Sequence, residues 1–543
     1  METALKCRRL PIQTQSLLWT ERLLLGLLMT FYGITPHTCG GGASAAGAEA
    51  KSAAKATGPL RVHPANPRYF FDGTKGVYLG GHQIFVDVQD NSFNKEWSKD
   101  LRYPEDPDKK SRLLDWDRYL DFVEGLGFNY VRGWIIWSTG SGKSAPPHKV
   151  AFPMPFKRAG PGKANDGGLK FDLQQFDEVF FQRLQDRCQD LQNRGVYISV
   201  MLFELYGFLD GEEVNGQRLW DGNLFHGANN INGIDVDRNQ NCLGEEFFSL
   251  DNPAVVKIQK AYIEKMVDVL NDLDNVIWEI CNEAPSAAIE WQYEMLRHLK
   301  DYRAHKPKQH LVLLSPGGWT PGGWSWTAEK LFVDSPADCI STAGGWINKD
   351  NPKVYRIDKP VVMDLDHVAP GQCQPALIWK AFTRGYHFNL YEGPFEQPQQ
   401  ESRAWQVARE NLRLTSILAK RVQDIALMNP DENLSSTGYC LANEGQEYIV
   451  YAEEQKDFQV NGLQAGQEYQ YEWISTMEAR VRETGRVTPD DRTHRFSPVC
   501  SGAVLFLTLR DGRSADREPF MKILSESKIF GDNIALCIHG KHI

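Results

Sequence analysis

The stretch that decides the fold is Asn275–Ala284, NVIWEICNEA. Its apolar run is only about six residues long, too short for a free-standing helix, and it follows the amphipathic segment from Pro253 to Leu273. Helix then strand is therefore the reading, and the strand closes on two polar residues, Asn282 and Glu283.

The same alternation recurs on both sides. Upstream lie GVYLGG (Gly76–Gly81, ending at His82), FNYVRGW (Phe128–Trp134) and GVYISVMLF (Gly195–Phe203, ending at Glu204). Downstream lie HLVLLSP (His310–Pro316), DCISTAGGW (Asp338–Trp346), PVVMDLD (Pro360–Asp366) and HFNLYEG (His387–Gly393). Helical patterns fill most of the gaps, at Trp116 to Leu126, Phe176 to Arg194 and Glu401 to Leu418, and two insertions run to about Gly168 and over Tyr206 to Phe247. Eight strands alternating with helices predict an α/β chain, a (β/α)8 TIM barrel over 60–425. After it the pattern changes. YCLANEGQEYIVYA, FQVNGLQAGQEYQYEWI and GAVLFLTL alternate apolar and polar residues between turn signals, which predicts a small antiparallel β-sandwich domain over 431–510. Residues 511–543 carry no readable pattern.

Composition narrows the function. The formal net charge is −10 and no run of Lys and Arg could follow a phosphate backbone, which argues against nucleic acid as a partner. Ten cysteines include no CxxC and no Cys/His pair at zinc spacing, so neither a metal nor another cofactor is expected. Cys188 and Cys281 read as buried free thiols, whereas Cys242, Cys373, Cys440 and Cys500 are candidates for pairing in an oxidising compartment. At the N-terminus Lys6, Arg8, Arg9 and Arg22 precede the apolar run Leu23–Ile34, and Ala-Ser-Ala at 43–45 suits cleavage. Residues 1–45 are thus expected to be a signal peptide and 46–59 a low-complexity linker. The mature chain is then expected to be secreted or held in the cell envelope, without stable membrane insertion.

In such barrels the C-terminal strand ends face the active site. Taken in order they supply His82, Arg132 with Trp134, Glu204, Asn282 with Glu283, Trp346, Asp364 with Asp366 and His367, then Tyr391 with Glu392. Carboxylates, aromatics and hydrogen-bonding groups in one ring suit glycoside hydrolysis, which needs one acid to protonate the leaving oxygen and one carboxylate to attack the anomeric carbon.

WEICNEA resembles the clan of retaining glycosidases that carry acid/base and nucleophile after strands four and seven. NPRYFFDGTKGVYLGGH, FDLQQFDEVFFQRL, GVYISVMLFEL, ANNINGID, KPVVMDLDHV and WKAFTRGYHF extend the resemblance to a cellulase-like group of bacterial secreted proteins, covering about Asn66 to Glu392. The β region resembles a domain named for collagen binding that is often appended to those barrels. The resemblance implies a glycosidase acting on a carbohydrate substrate, with Glu283 as acid/base, Asn282 on the sugar 2-hydroxyl and Arg132 orienting the nucleophile. The clan's glutamate on strand seven is missing. Asp364 and Asp366 stand there instead, strand alternation puts both on one face, and Asp366 beside His367 is the preferred nucleophile. A carboxyl separation well beyond about 5.5 Å would favour inversion over retention. His82, Trp134, Glu204, His226, Asn229, Asn230, Trp346 and Tyr391 complete the candidate sugar contacts, although Asn229 and Asn230 suit turn formation equally. The alternative function is a barrel that lost its chemistry and holds glycans as an adhesive or binding protein.

Overall fold

The computed structural model describes residues 54–84, 88–91, 114–139, 151–209, 219–320, 323–324, 328–342, 347–366, 368, 374–392 and 402–510. The expected signal peptide, most of the linker and the tail at 511–543 lie outside these residues, as do Trp346, His367 and Cys373.

Eight parallel strands close into a barrel: β1 (Gly80–Gln83), β2 (Tyr130–Gly133), β3 (Tyr197–Glu204), β4 (Val276–Asn282), β5 (Val312–Leu314), β6 (Cys339–Thr342), β7 (Val361–Asp364) and β8 (His387–Tyr391), with β8 pairing back onto β1. All eight expected strands are present, and the barrel followed by a β domain is the fold. Strand one is displaced: Gly76–Val77 belong to a separate three-stranded antiparallel sheet with Arg61–Val62 and Phe70–Phe71, and the barrel strand starts at Gly80.

Helices α1 (Trp116–Gly125), α2 (Glu178–Asn193), α3 (Pro253–Leu270), α4 (Ile289–Arg303), α5 (Glu329–Val333), α6 (Pro375–Phe382) and α7 (Arg403–Arg421) surround it. The starts of α1, α2 and α3 carry side-chain caps. The Asp177 carboxylate accepts from the Val179 amide, and Asn252 caps α3 with Pro253 in its first turn. Between β6 and β7, residues 347–360 contain no helix. A long hairpin, Phe156–Lys163 with Leu169–Phe176, spans the end of the first insertion, where the sequence reading places no strand. Among the described residues no helix is long and apolar enough to cross a membrane.

Strand alternation divides the barrel into two cores. Side chains such as Ile280, Val312, Ile340, Met363 and Phe388 pack outward against the helices. Leu79, Tyr130, Tyr197, Ile277, Leu313 and Val362 form a separate apolar plug.

The C-terminal domain has a six-stranded antiparallel sheet with two short strands against it. Its strands are β9 (Asn429–Pro430), β10 (Cys440–Asn443), β11 (Glu447–Ala452), β12 (Phe458–Asn461), β13 (Tyr469–Ser475), β14 (Arg480–Val487), β15 (Thr493–Phe496) and β16 (Ala503–Leu509). The sheet order is β9-β10-β11-β16-β13-β14, and β12 pairs with β15. Period-two alternation gives it two faces. Ile449, Ile474, Val504 and Phe506 join the barrel's outer core, whereas Tyr448, Val450, Trp473, Leu505 and Leu507 pack with Phe458, Val460 and Phe496. Arg421 at the end of α7 makes a two-pronged pair with Glu472 of β13, at 2.6 and 2.7 Å, and Lys380 of α6 reaches Glu453 at 2.8 Å. The β domain is therefore built onto the barrel by a shared apolar core and by these ion pairs.

Of the cysteines, Cys188 and Cys281 are buried and outside any disulfide, as expected, and Cys242 is disulfide-bonded. Cys440 and Cys500 are free, which corrects their candidacy for pairing.

Candidate active site

Above the apolar plug the barrel interior becomes polar, and Arg132 of β2 stands at its centre, 2 % exposed. Every donor of its guanidinium is used. Nε donates to Glu279 Oε2 at 2.8 Å, and Nη2 donates to Glu279 Oε1 and to Asn282 Oδ1 at 2.8 Å. Nη1 donates to Asp364 Oδ2 at 2.7 Å and to Gln83 Oε1 at 3.2 Å. A planar fork with five fixed donors fits this arrangement, whereas a lysine's point charge could not fill it. Burial alone would weaken the guanidinium's hold on its proton; Asp364 and Glu279 more than offset that, and its pKa is raised.

Glu279 and Gln83 were not anticipated from the sequence. Glu279 is fully buried on β4, and it also accepts from the Oγ of Ser315, the residue after β5, at 2.6 Å. Its signal was present in Asn275–Ala284: a charged residue within an apolar strand is costly to bury unless paired.

Asp364 closes β7. Its Oδ1 accepts from Gln83 Nε2 at 2.8 Å and from the Asp366 backbone amide at 3.0 Å. Burial pushes its carboxyl up to about 6 against the pull of the Arg132 cation, and Asp366 adds to the rise. The expectation that Asp364 and Asp366 share one strand face is corrected here. The strand stops at Asp364, and the chain turns so that the Asp366 amide folds back onto the Asp364 carboxylate. Asp364 is buried beneath the mouth and Asp366 is partly exposed.

Glu283 follows β4 with φ of 53°, in the left-handed region that a non-glycine residue adopts only at a cost. The turn places a partly exposed carboxyl at the barrel mouth directly after the buried Asn282. Asn282 Oδ1 accepts from Arg132 Nη2, while its Nδ2 is buried without a hydrogen-bond partner. Tyr391, at the end of β8, feels the charges of Asp366, Glu283 and Asp364, and burial, the largest influence, raises its phenol well above the ordinary value. Trp134 donates its ring N–H to Gln83 Oε1 at 2.9 Å and lies 6.4 Å from the Tyr391 ring, with the Arg132 Cζ 5.4 Å over its own ring. Glu283, Asn282, Asp364, Asp366, Arg132, Trp134 and Tyr391 thus converge.

The other candidates are placed differently. Glu204 is fully buried, and its two oxygens accept from the Trp137 and Gly207 backbone amides at 3.1 and 2.7 Å, tying together the segments after β2 and β3. Burial pushes its carboxyl up to about 7 against those amides, and nearby Glu283 adds to the rise. His82 lies on the outer side of β1, 3.4 Å from the Tyr119 hydroxyl of α1 and 3.3 Å from Glu392, so the structure does not bring it to the mouth. Asn229 and Asn230 build their own loop. Asn229 donates to the carbonyls of Asp221 and Asn223, and Asn230 to those of Leu224, His226 and Ile234. His226 accepts from the Ala228 amide at 3.0 Å within the same loop.

Among the described residues no group of three or more His, Cys, Asp and Glu side chains is gathered as around a metal ion. A cavity of about 590 Å³ lies elsewhere, walled by Tyr78, Asn129, Tyr197 and Lys420 among others, and none of the converging residues lines it.

Comparison with known proteins agrees with this architecture. A family described as a domain of unknown function (DUF6298) matches residues 142–317. No curated protein matches the chain. Among solved structures, one described as a candidate glycoside hydrolase from Bacteroides vulgatus has a TM-score of 0.55 at 15% identity, covering 85% of this chain and 83% of its own. A glycoside hydrolase family 5 structure from the same organism has a TM-score of 0.49 at 14% identity, covering 84% and 95%. At such identities the likeness is one of fold, and the fold is one that glycoside hydrolases use.

Proposed function

We propose that this protein is a glycosidase that cleaves O-glycosidic bonds of an oligosaccharide or polysaccharide, with Glu283 as acid/base and Asp366 as nucleophile. The observation that carries the reading is convergence: the carboxyls that follow strands four and seven both act on Tyr391, above the Arg132 cation that holds Asp364 and Asn282. Glu283 would give its proton to the leaving oxygen as Asp366 attacks the anomeric carbon. Water would then release the sugar, with Glu283 taking the water's proton. The unpartnered Asn282 amide supplies a donor for a sugar hydroxyl beside Glu283.

The test is turnover of aryl glycosides and polysaccharides by the purified protein, followed by Glu283→Gln. The variant should lose about 10²–10⁴-fold in kcat on substrates with poor leaving groups and keep glycan binding. Glycan binding without turnover in the parent on every substrate would instead support the adhesive reading.

Secretion is part of the proposal. A disulfide at Cys242 suits an oxidising compartment, and the basic, apolar and small-residue order at the N-terminus suits export. Mass spectrometry of the protein from its native host should find a chain starting near Ala46; one still carrying residues 1–40 would refute this.

A further inference from the structure

We propose that Glu279 is a positioning residue that fixes the plane of the Arg132 guanidinium and thereby aims its remaining donors at Asp364 and Asn282. The inference rests on the glycosidase reading for its kinetic consequence, but not for its geometry. Glu279 grips Arg132 through both Nε and Nη2, and a planar group held along one edge cannot rotate. The opposite edge, Nη1, then faces β7 and β1, while the second Nη2 proton faces the end of β4. Glu279 is itself held, by the Ser315 hydroxyl at 2.6 Å and by Ser199 Oγ at 3.5 Å, which Tyr130 in turn meets at 2.7 Å. Residues on strands two, three and four and just past strand five thus set one guanidinium, and that guanidinium sets the residues on which the mouth is built.

Glu279 also has an electrostatic effect. One cation serves two buried carboxylates, so the charge of Glu279 reduces what Arg132 can do for Asp364 and for Asp366 beside it. Glu279→Gln removes that competing charge and one of the two grips. Asp364 should then ionise at lower pH, by roughly one unit, the scale of a charge removed within a few ångströms. The acidic limb of the kcat/KM profile should move the same way, and kcat should fall at least tenfold while KM changes little. Glu279→Asp keeps the charge and shortens the arm, so kcat should fall with the acidic limb unmoved.

The titration of Asp364 is read directly by ¹³C carboxyl NMR, assigned with Asp364→Asn, and needs no turnover. A downward shift in Glu279→Gln supports the inference even if the parent cleaves no glycan, in which case only the glycosidase reading fails. An Asp364 titration that does not move in Glu279→Gln overturns it, as does an unchanged kcat in Glu279→Asp. If Glu279→Gln does not fold, Glu279→Asp alone decides: reduced kcat at an unmoved acidic limb upholds the inference, and parental kcat ends it.

Discussion

Replacing Asp366 with alanine should abolish turnover on every glycoside, lowering kcat by roughly 10⁴-fold or more, the scale seen when the attacking group of a covalent mechanism is removed. Leaving-group quality should not rescue this loss, because in the proposed mechanism the carboxylate acts on the anomeric carbon and not on the departing oxygen. Glu283→Ala should behave differently. An activated aryl glycoside needs little protonation, so its cleavage should survive in part and lose the alkaline limb of its pH profile. On the proposed mechanism the parent needs a proton on Glu283 and an ionised aspartate at once, so activity should fall at both pH extremes, the acidic limit being set by the aspartate. Asp364 supports that limit, since burial holds its carboxyl at about 6, and below that pH the bond to Arg132 loses its charge partner. Kinetics of Asp366→Ala and Asp364→Ala, measured side by side, settle strand seven. Substantial activity in Asp366→Ala with none in Asp364→Ala would reverse the two roles, and activity in both would end the paired-carboxylate mechanism.

The second large effect is expected at Arg132. Arg132→Met should cost about 3–5 kcal/mol of stability, the scale of breaking a buried ion pair from one side, because Glu279 and Asp364 stay buried without their cation. Chemical denaturation checks this. The loss should depend on pH, and its sign follows from protonation. Asp364 is already raised above its unfolded value, and without Arg132 it rises further. Stability from a raised carboxyl is present below the unfolded value near 4 and disappears as pH rises through the folded one. The variant should therefore be least impaired near pH 4 and should lose ground steadily toward pH 8. Arg132→Lys should recover little, since one ammonium cannot reach Glu279, Asp364, Asn282 and Gln83 together. A loss below about 1 kcal/mol at pH 7, or one independent of pH, would mean that the polar layer tolerates two uncompensated carboxylates.

Much of the barrel was legible because its signal is local. Asn275–Ala284 can be read as a buried strand from its own residues, and the seven runs like it needed only the repeated alternation with helices. The β domain was legible for a related reason: Ile449 and Val450, or Ile474 and Trp473, alternate in the chain as they alternate between two cores. The mouth was legible in outline, since strand ends must gather at one rim. The hairpin over Phe156–Lys163 was not, because its Gly and Pro residues mask the pairing that Phe171 and Phe176 anchor.

What the sequence determined by itself was the order of strands and the set of polar residues at their ends. Which of those residues meet was decided by tertiary structure, because a side chain's direction depends on where its strand stops and on what packs behind it. PVVMDLD stops pairing at Asp364, so Asp364 is buried against Arg132 while Asp366 turns toward the mouth. His82 ends its strand facing α1, and Glu204 is occupied by two backbone amides. Glu279, four residues before Glu283, met its partner only when closure of the barrel brought β2 beside β3 and β3 beside β4. A buried charge can be recognised in the sequence as needing a partner, but the partner, 147 positions away, is supplied by the fold.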